Sequence, residues 1–271
     1  MKSIIRWAGS KRQVLAKLRP YWPDASTRYI EPFAGSACSF FALQPKSAIL
    51  GDLNKELIQT YMALRRDASL VLECFKRFPR SKEEYYKVRA LSPSTLSSAE
   101  VAARFLYLNR YCFNGLYRTN LEGGFNVPYG PPKKDLLNFE QDVVAAAAIL
   151  KSATLLTADF EETLRYVRKG DFVYLDPPYM VQRRRVFREY LPRPFCASDL
   201  ARLSGCLERL DAVGATFLIS YADSPEAREL LKPWGYRRMC VRRNIAGFVN
   251  ARRRAVELVG SNKQKAIADA N

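Results

Sequence analysis

The stretch Asp176-Pro177-Pro178-Tyr179 follows directly on the apolar run Asp171-Phe-Val-Tyr-Leu175. Two consecutive prolines have no N–H to donate, so a chain leaving a sheet through them does so in a stiff, extended turn. Such a turn holds a carboxylate, a backbone carbonyl and an aromatic ring in fixed relation. An acceptor pair beside a π-face suits a planar base that bears an exocyclic amino group. The lone pair of such an amine is delocalised into its ring, which makes it a poor nucleophile. Accepting both its hydrogens, at Asp176 and at the Pro177 carbonyl, draws the nitrogen towards a tetrahedral shape and localises the pair. The alternative is a proline-rich turn with a solvated Asp176 and a packing Tyr179; the strand in front weighs against it.

Three further constellations carry chemistry. Phe33-Ala-Gly35 with Ser36 resembles a glycine turn that lets a ligand approach the backbone, with an ordinary strand-to-helix turn as the alternative. Asp52 stands 17 residues beyond Gly35 at the end of the next apolar run, where nucleotide-binding sheets place an acid on ribose hydroxyls; the alternative is a helix-capping acid before Asn54. From Asn109 to Gly130, Arg110, Asn114, Arg118, Asn120 and Asn126 interleave with aromatic residues, and Glu122 is the one acid. Arg and Asn make bidentate contacts to guanine and adenine edges, and Gly123-Gly124 reads as a hairpin tip. A surface hairpin with an incidental polar face is the plainer alternative. Arg183, Arg184, Arg185 and Arg188, spaced with Phe187 and Tyr190, form a basic run with interleaved aromatics that suits phosphates. Lys133 extends that basic set, and Arg242-Arg243 and Arg252-Arg253-Arg254 fall on the last two strand-like runs, with a solvated basic face as the alternative.

The elements that must position these residues alternate. Strands are predicted over 28–33, 48–52, 154–157, 171–175, 215–220, 235–243 and 253–260. Helices are predicted over 36–43, 54–66, 160–168, 199–211 and 225–231. Between 68 and 150 the alternation gives way to helices over 69–78, 81–91, 98–112 and 139–151. This pattern predicts an α/β fold: an open, mostly parallel sheet split by a helical insert. Ligands bind such sheets beyond the carboxyl ends of the strands, where Glu31, Asp52, Asp159 and Asp176 all fall.

Composition narrows the classes. Lys and Arg number 44 against 27 Asp and Glu, a formal charge of +17, and 48% of the chain is hydrophobic. A foldable chain this basic is expected to meet a polyanion. There is no histidine, which excludes Ser-His-Asp triads and His-ligated metals. The six cysteines, Cys38, Cys74, Cys112, Cys196, Cys206 and Cys240, form no CxxC pair and read as small buried hydrophobes in a reducing compartment. The first twelve residues contain no secretory signal, because Arg6 interrupts them, and the longest apolar run, Val143 to Leu150, is far short of a membrane span.

At these residues the chain resembles the Dam-type, alpha-group DNA adenine-N6 methyltransferases, in which cofactor motif, recognition insert and Asp-Pro-Pro-Tyr follow in that order. The resemblance runs from Arg6-Trp-Ala-Gly-Ser-Lys11 to the final arginine-rich hairpin. It implies a Rossmann-like methyltransferase sheet with a C-terminal antiparallel hairpin, S-adenosylmethionine as cofactor, and a flipped adenine of duplex DNA as substrate. It further implies that Trp7, Ala8 and Gly9 pack against the cofactor, that Lys11 stays near its carboxylate, and that Glu31, Phe33 and Gly35 line it. Asp52 would take the ribose, Asp159 and Phe160 would clasp the adenine, and Asp176 would be shared between cofactor and target. Cys112 to Leu116 and Phe125 to Pro128 resemble the recognition hairpin.

The chain departs from the pattern twice. Ala37 stands where the family usually has a second glycine. Glu122 stands where GATC-reading relatives carry arginine; a carboxylate repels guanine O6 and N7 and prefers a cytosine amino group, so the first base of GATC does not carry over. The expected organisation is a catalytic first part over 1–67, a recognition insert over 68–151 with its hairpin at 113–130, a catalytic second part over 152–262 and a tail over 263–271. A cytoplasmic, DNA-associated monomer or weak dimer of bacterial or phage origin is expected, without metal or membrane and with a cognate restriction endonuclease as an optional partner. The rivals are a cytosine-N4 methyltransferase, which usually carries Ser at position 176, a protein-glutamine methyltransferase, which normally carries Asn there, and a non-catalytic DNA-binding relative.

Overall fold

The computed structural model describes residues 1–7, 9–11, 15–120, 123–131, 138–179, 195–242 and 254–263. Its strands are β1 (Tyr29–Glu31), β2 (Ala48–Asp52), β3 (Ala153–Thr157), β4 (Phe172–Leu175), β5 (Thr216–Ala222), β6 (Tyr236–Arg242) and β7 (Arg254–Ser261). They form one sheet in the order β3-β2-β1-β4-β5-β7-β6. The first five run parallel, and β7 lies antiparallel between β5 and β6. Strand order reverses between β1 and β4, since β1 leads outward to β2 and β3 while β4 leads the other way to β5. Arg28, just before β1, donates to both carboxylate oxygens of Asp171, just before β4, at 2.9 and 2.5 Å. This forked pair fixes the two strands at the end away from the reversal's open mouth.

The helices are α1 (Leu15–Leu18), α2 (Cys38–Leu43), α3 (Lys55–Lys76), α4 (Lys82–Ala90), α5 (Ser98–Tyr111), α6 (Phe139–Leu150), α7 (Phe160–Leu164), α8 (Ala197–Ala212) and α9 (Pro225–Leu231). Their starts are chemically marked. Asn54 caps α3 by accepting from Leu57 N–H, and Ser97 with Glu100 forms a reciprocal capping box on α5. The two expected helices at 54–66 and 69–78 are one continuous element broken at Asp67, whose φ of −157° and ψ of 90° are not helical. The Asp67 carboxylate accepts from Leu70 N–H at 3.0 Å, so it recaps the second half and explains the gap in periodicity. Helix α1 was not legible, because four residues offer no apolar period. Helix α7 stops at Leu164 rather than 168. Among the described residues of the hairpin the pairing consists of two isolated bridges, Cys112 with Tyr129 and Thr119 with Phe125.

Alternation along the strands divides the core. Tyr29, Leu50, Tyr174, Leu218 and Val259 face α2, α3, α5 and α6, and this layer continues through Tyr85, Phe105, Tyr107 and Phe139. Ile30, Ile49, Val173, Phe217 and Leu258 face α7, α8 and α9. Helix α5 is buried almost all round, which marks it as the centre of the helical layer. Among the described residues no helix is long and apolar enough to cross a membrane, and no group of three or more His, Cys, Asp or Glu could hold a metal ion.

Gly51, one residue before Asp52, sets how closely α7 approaches β2. A Cβ there would stand 2.2 Å from Thr163 Oγ1 and 2.8 Å from its methyl carbon. Gly51→Ala is expected to destabilise the protein by roughly 1–3 kcal/mol through overpacking, read from the urea midpoint. Adding Thr163→Ala should restore most of that loss; no recovery would place the strain elsewhere.

Candidate active site

The carboxyl ends of β1 and β4 are adjacent, so Glu31 and Asp176 leave the sheet side by side at the reversal. Beyond β4 the prolines carry the chain outward. Tyr221 donates to the Pro178 carbonyl at 3.2 Å, and the Tyr179 ring meets the Tyr221 ring edge-on at 5.4 Å. Among the described residues no group donates to the Pro177 carbonyl. The Asp176 side chain is 19% exposed. Lys11 Nζ lies 2.9 Å from Asp176 Oδ1, 3.2 Å from Glu257 Oε1 and 2.7 Å from the Tyr179 hydroxyl, which itself donates to Glu257 at 3.2 Å. Ser220 on β5 approaches Asp176 Oδ1 at 3.5 Å and shares a hydrogen bond with Tyr174. Burial pushes the Asp176 carboxyl up to about 6, against the opposing pull of Lys11. Asp176 is therefore ionised at neutral pH and neutral below about 6.

A second group of residues surrounds the crevice beside β1 and β2. Asp52 accepts from Gly35 N–H and from Asn54 N–H, both at 2.8 Å, one on each oxygen. Both contacts draw its carboxyl down, but burial outweighs them and leaves it raised. Gly35 has a φ of +46°, and a Cβ there would stand 2.8 Å from the Trp7 ring, so only glycine fits. Ala37 also takes left-handed backbone, φ 47° and ψ 35°, which explains the glycine expected there; its Cβ costs about 1–2 kcal/mol in that conformation. Trp7 stacks on Tyr117 at 5.3 Å and on Phe105 at 6.5 Å. Glu31 is buried, with Oε2 lacking any hydrogen-bond partner, and desolvation raises its carboxyl well above the ordinary range.

Phe33 stacks on Phe160 at 5.2 Å, which brings the turn after β1 against the start of α7. Asp159 caps α7 and is bound by Arg202, whose guanidinium also lies 4.6 Å from the Phe160 ring centre and pairs with Glu161 and Asp199.

On the insert, Arg118 donates to Asn126 Oδ1 at 2.7 Å and to its carbonyl at 3.2 Å. The Asn120 side chain accepts from Gly124 N–H at 2.7 Å, and Asn114 turns the chain with a φ of 56° beside the exposed Phe113. Arg110 is placed differently from the expected groove contacts: it is 9% exposed, its guanidinium 3.7 Å from the Phe139 ring centre, because α6 packs over that face of α5. Lys11, expected near the cofactor's carboxylate, is seated on Asp176. Gly9 is exposed, with a φ of +77°. Ala8, Glu122, Lys133, Arg183, Arg184, Arg185, Phe187, Arg188, Tyr190, Arg243, Arg252 and Arg253 lie outside the described residues.

Sequence reasoning missed Glu257 and Arg202. Glu257 was detectable in principle, as a lone acid in the apolar run Ala255 to Val259. Such a residue on a buried strand needs a partner. Arg202 had no signal, since an arginine on an amphipathic helix is ordinary.

A mostly parallel sheet ending in an antiparallel hairpin, with an acid–proline turn at its reversal point, defines a methyltransferase of Rossmann-like fold. The D12 class N6 adenine-specific DNA methyltransferase family matches residues 7–245. A type II methyltransferase of Lactococcus lactis subsp. cremoris is 31% identical, covering 97% of this chain and 95% of the relative. A type II methyltransferase of Methanocaldococcus jannaschii is 33% identical, covering 81% and 84%. A DNA adenine methylase of Vibrio cholerae is 30% identical, covering 85% of each. The chain belongs to the D12 class of N6 adenine-specific DNA methyltransferases and carries out site-specific methylation of adenine N6 in DNA.

The Lys11–Asp176 contact has a measurable consequence. Lys11 holds the Asp176 carboxyl down, so Lys11→Met should move its midpoint above about 6, followed by carbon-13 carboxyl NMR. An unmoved midpoint would show that the ammonium is not seated there in solution.

Proposed function

We propose that the methyl donor is S-adenosylmethionine and that Asp176, Pro177 and Tyr179 receive an adenine turned out of the duplex. The donor set suits that cofactor. Glu31 Oε2 is a buried acceptor without a donor, as an amino-acid ammonium would require. Each Asp52 oxygen takes one backbone N–H and keeps a lone pair for a ribose hydroxyl. Gly35 gives a side-chain-free approach beside Trp7, and Phe33, Phe160 and Asp159 form an aromatic wall with an acceptor at its edge. When bound, this cofactor supplies a methyl group on a positively charged sulfur.

The protein's own part is placement and charge redistribution. Turning the base out costs about a few kcal/mol, which phosphate contacts must offset. The Tyr179 face supports the base. Asp176 and the Pro177 carbonyl accept the two amino hydrogens, which localises the lone pair. Effective molarity for so oriented a pair reaches roughly 10⁵–10⁸ M, so no histidine is needed. The amine's surplus proton is held at Asp176 or passes to water. The observation that carries this reading is the Asp176 carboxyl group at the exit of β4, one residue before a carbonyl that no described residue engages.

The remaining roles follow the same reading. Residues 68–151 act as the recognition module, with Arg118, Asn120, Asn114 and Asn126 at the groove and Lys133, Arg183, Arg184, Arg185 and Arg188 on phosphates. Arg118 and Asn126 hold one another preorganised for that contact. The enzyme is a cytoplasmic monomer or weak dimer, and its likeness to type II methyltransferases supports a companion restriction endonuclease.

Asp176→Ala should retain DNA binding within about threefold in a filter assay while single-turnover methyl transfer falls by about 10²–10³-fold or more. Undiminished transfer would remove Asp176 from the chemistry.

A further inference from the structure

Lys11 brings one positive charge to a place that holds two carboxylates. Its side chain is 3% exposed, and its ammonium gives its three N–H groups to the Tyr179 hydroxyl at 2.7 Å, Asp176 Oδ1 at 2.9 Å and Glu257 at 3.2 Å. Under the reading above, Asp176 accepts one amino hydrogen; Lys11 and Ser220 both engage its Oδ1, which leaves Oδ2 for the amine. Oδ2 keeps that aim only while the buried ammonium stays seated, and a buried ammonium stays seated only while its acceptors are kept, since leaving it unpaired costs several kcal/mol. Among the described residues the second carboxylate that reaches Lys11 is Glu257. Its mount is rigid: β7 is hydrogen-bonded on both sides, with Glu257 opposite Ala222 of β5 and Met239 of β6. Its side chain also accepts from the Tyr179 hydroxyl at 3.2 Å, so it orients the ring as well as the ammonium.

We propose that Glu257 is a positioning residue for methyl transfer, holding the Lys11 ammonium and the Tyr179 hydroxyl in place so that Asp176 presents its free oxygen to the target amine. The inference rests on Asp176 being the amine's acceptor. Charge counting supports it. With Glu257 the Lys11 charge is shared between two carboxylates. Without the Glu257 charge the ammonium is drawn onto Asp176 alone, which weakens that carboxylate as an acceptor for the uncharged amine. Other titratable groups facing Asp176 are Glu31 from β1, Cys38 from α2 and Tyr174 from β4, with Tyr179 across Lys11. None of these forms an ion pair with Lys11, whose ion pairs among the described residues are to Asp176 and Glu257.

The test is single-turnover methyl transfer to unmethylated plasmid DNA by the full chain, from about pH 5 to about 9, in wild type, Glu257→Gln, Lys11→Met and the double variant. Glu257→Gln should lower the plateau rate about 10- to 100-fold with unchanged donor and DNA affinities. It should also move the acid limb of the profile downward, because the Glu257 charge holds the Asp176 carboxyl up. A purely structural lesion would lower the plateau without moving the limb. In the Lys11→Met background the Glu257→Gln penalty should shrink to less than about twofold, since the charge it supports is gone. An unmoved limb, a plateau within twofold of wild type, or a penalty undiminished beside Lys11→Met would overturn the proposal. If Glu257→Gln melts below the assay temperature, Glu257→Asp carries the test: charge retained, its limb should stay in place, and a shifted limb would sink the idea. Asp176→Ala in the same assay separates the two readings. If it still transfers methyl, the acceptor assignment fails and this inference with it; if it is inactive while Glu257→Gln behaves as wild type, only the role of Glu257 fails.

Discussion

The exit of β4 takes two carboxylates and one ammonium out of bulk water, and the surrounding elements exist in the arrangement that keeps this unequal set paired. Isolated, any of the three would neutralise or pull back to solvent. Together they are held by three different parts of the chain: Lys11 from the amino-terminal segment, Asp176 from β4 and Glu257 from β7. The antiparallel insertion of β7 beside β5 is what delivers Glu257 to the same end of the sheet as Asp176. A purely parallel continuation would not have turned that strand around. The prolines add stiffness, and Tyr221 and Ser220 on β5 brace the turn from below.

The same segment that supplies Lys11 ties the crevice to the helical layer. Arg6 N–H donates to the Asn109 side chain at 2.8 Å, and Asn109 donates back to the Arg6 carbonyl at 2.7 Å. One residue further, Trp7 stacks on Tyr117 and Phe105, which belong to the insert, while its edge closes over Gly35 at the sheet. The residues nearest the chemistry and the helix from which the hairpin departs are thus packed into one apolar layer. Close-packed interiors transmit displacement rather than absorb it.

Much of this was legible in the chain. Strand β2 matched residue for residue, and β4 was legible through its apolar run and the prolines that end it. Helices α4, α5 and α9 matched within two residues because capping side chains mark their starts, and α6 matched as closely although no side chain caps it. The kink at Asp67 was visible as a gap between two helical stretches. The hairpin was read as a hairpin, but its weak pairing was not, because Gly123-Gly124 signals a turn without saying how many residues pair beside it. Arg110 was read as a groove contact on residue type alone; that α6 covers it depends on packing between segments about thirty residues apart, which no local pattern encodes.

Residue types and short-range spacing determined the class of chemistry by themselves. An acid followed by two prolines and a tyrosine points to a stiff turn with acceptors beside a ring, and a histidine-free chain of charge +17 points to a polyanionic partner; the resemblance to adenine-N6 methyltransferases joined the two. The partnership of Lys11, Asp176 and Glu257 was decided only by tertiary structure. Their separations along the chain are 165 and 81 residues, 176 − 11 and 257 − 176, so only the sheet's order and the direction of its last hairpin bring them within hydrogen-bond reach. Periodicity reports the environment of one residue at a time; which buried charge meets which is settled when the strands assemble.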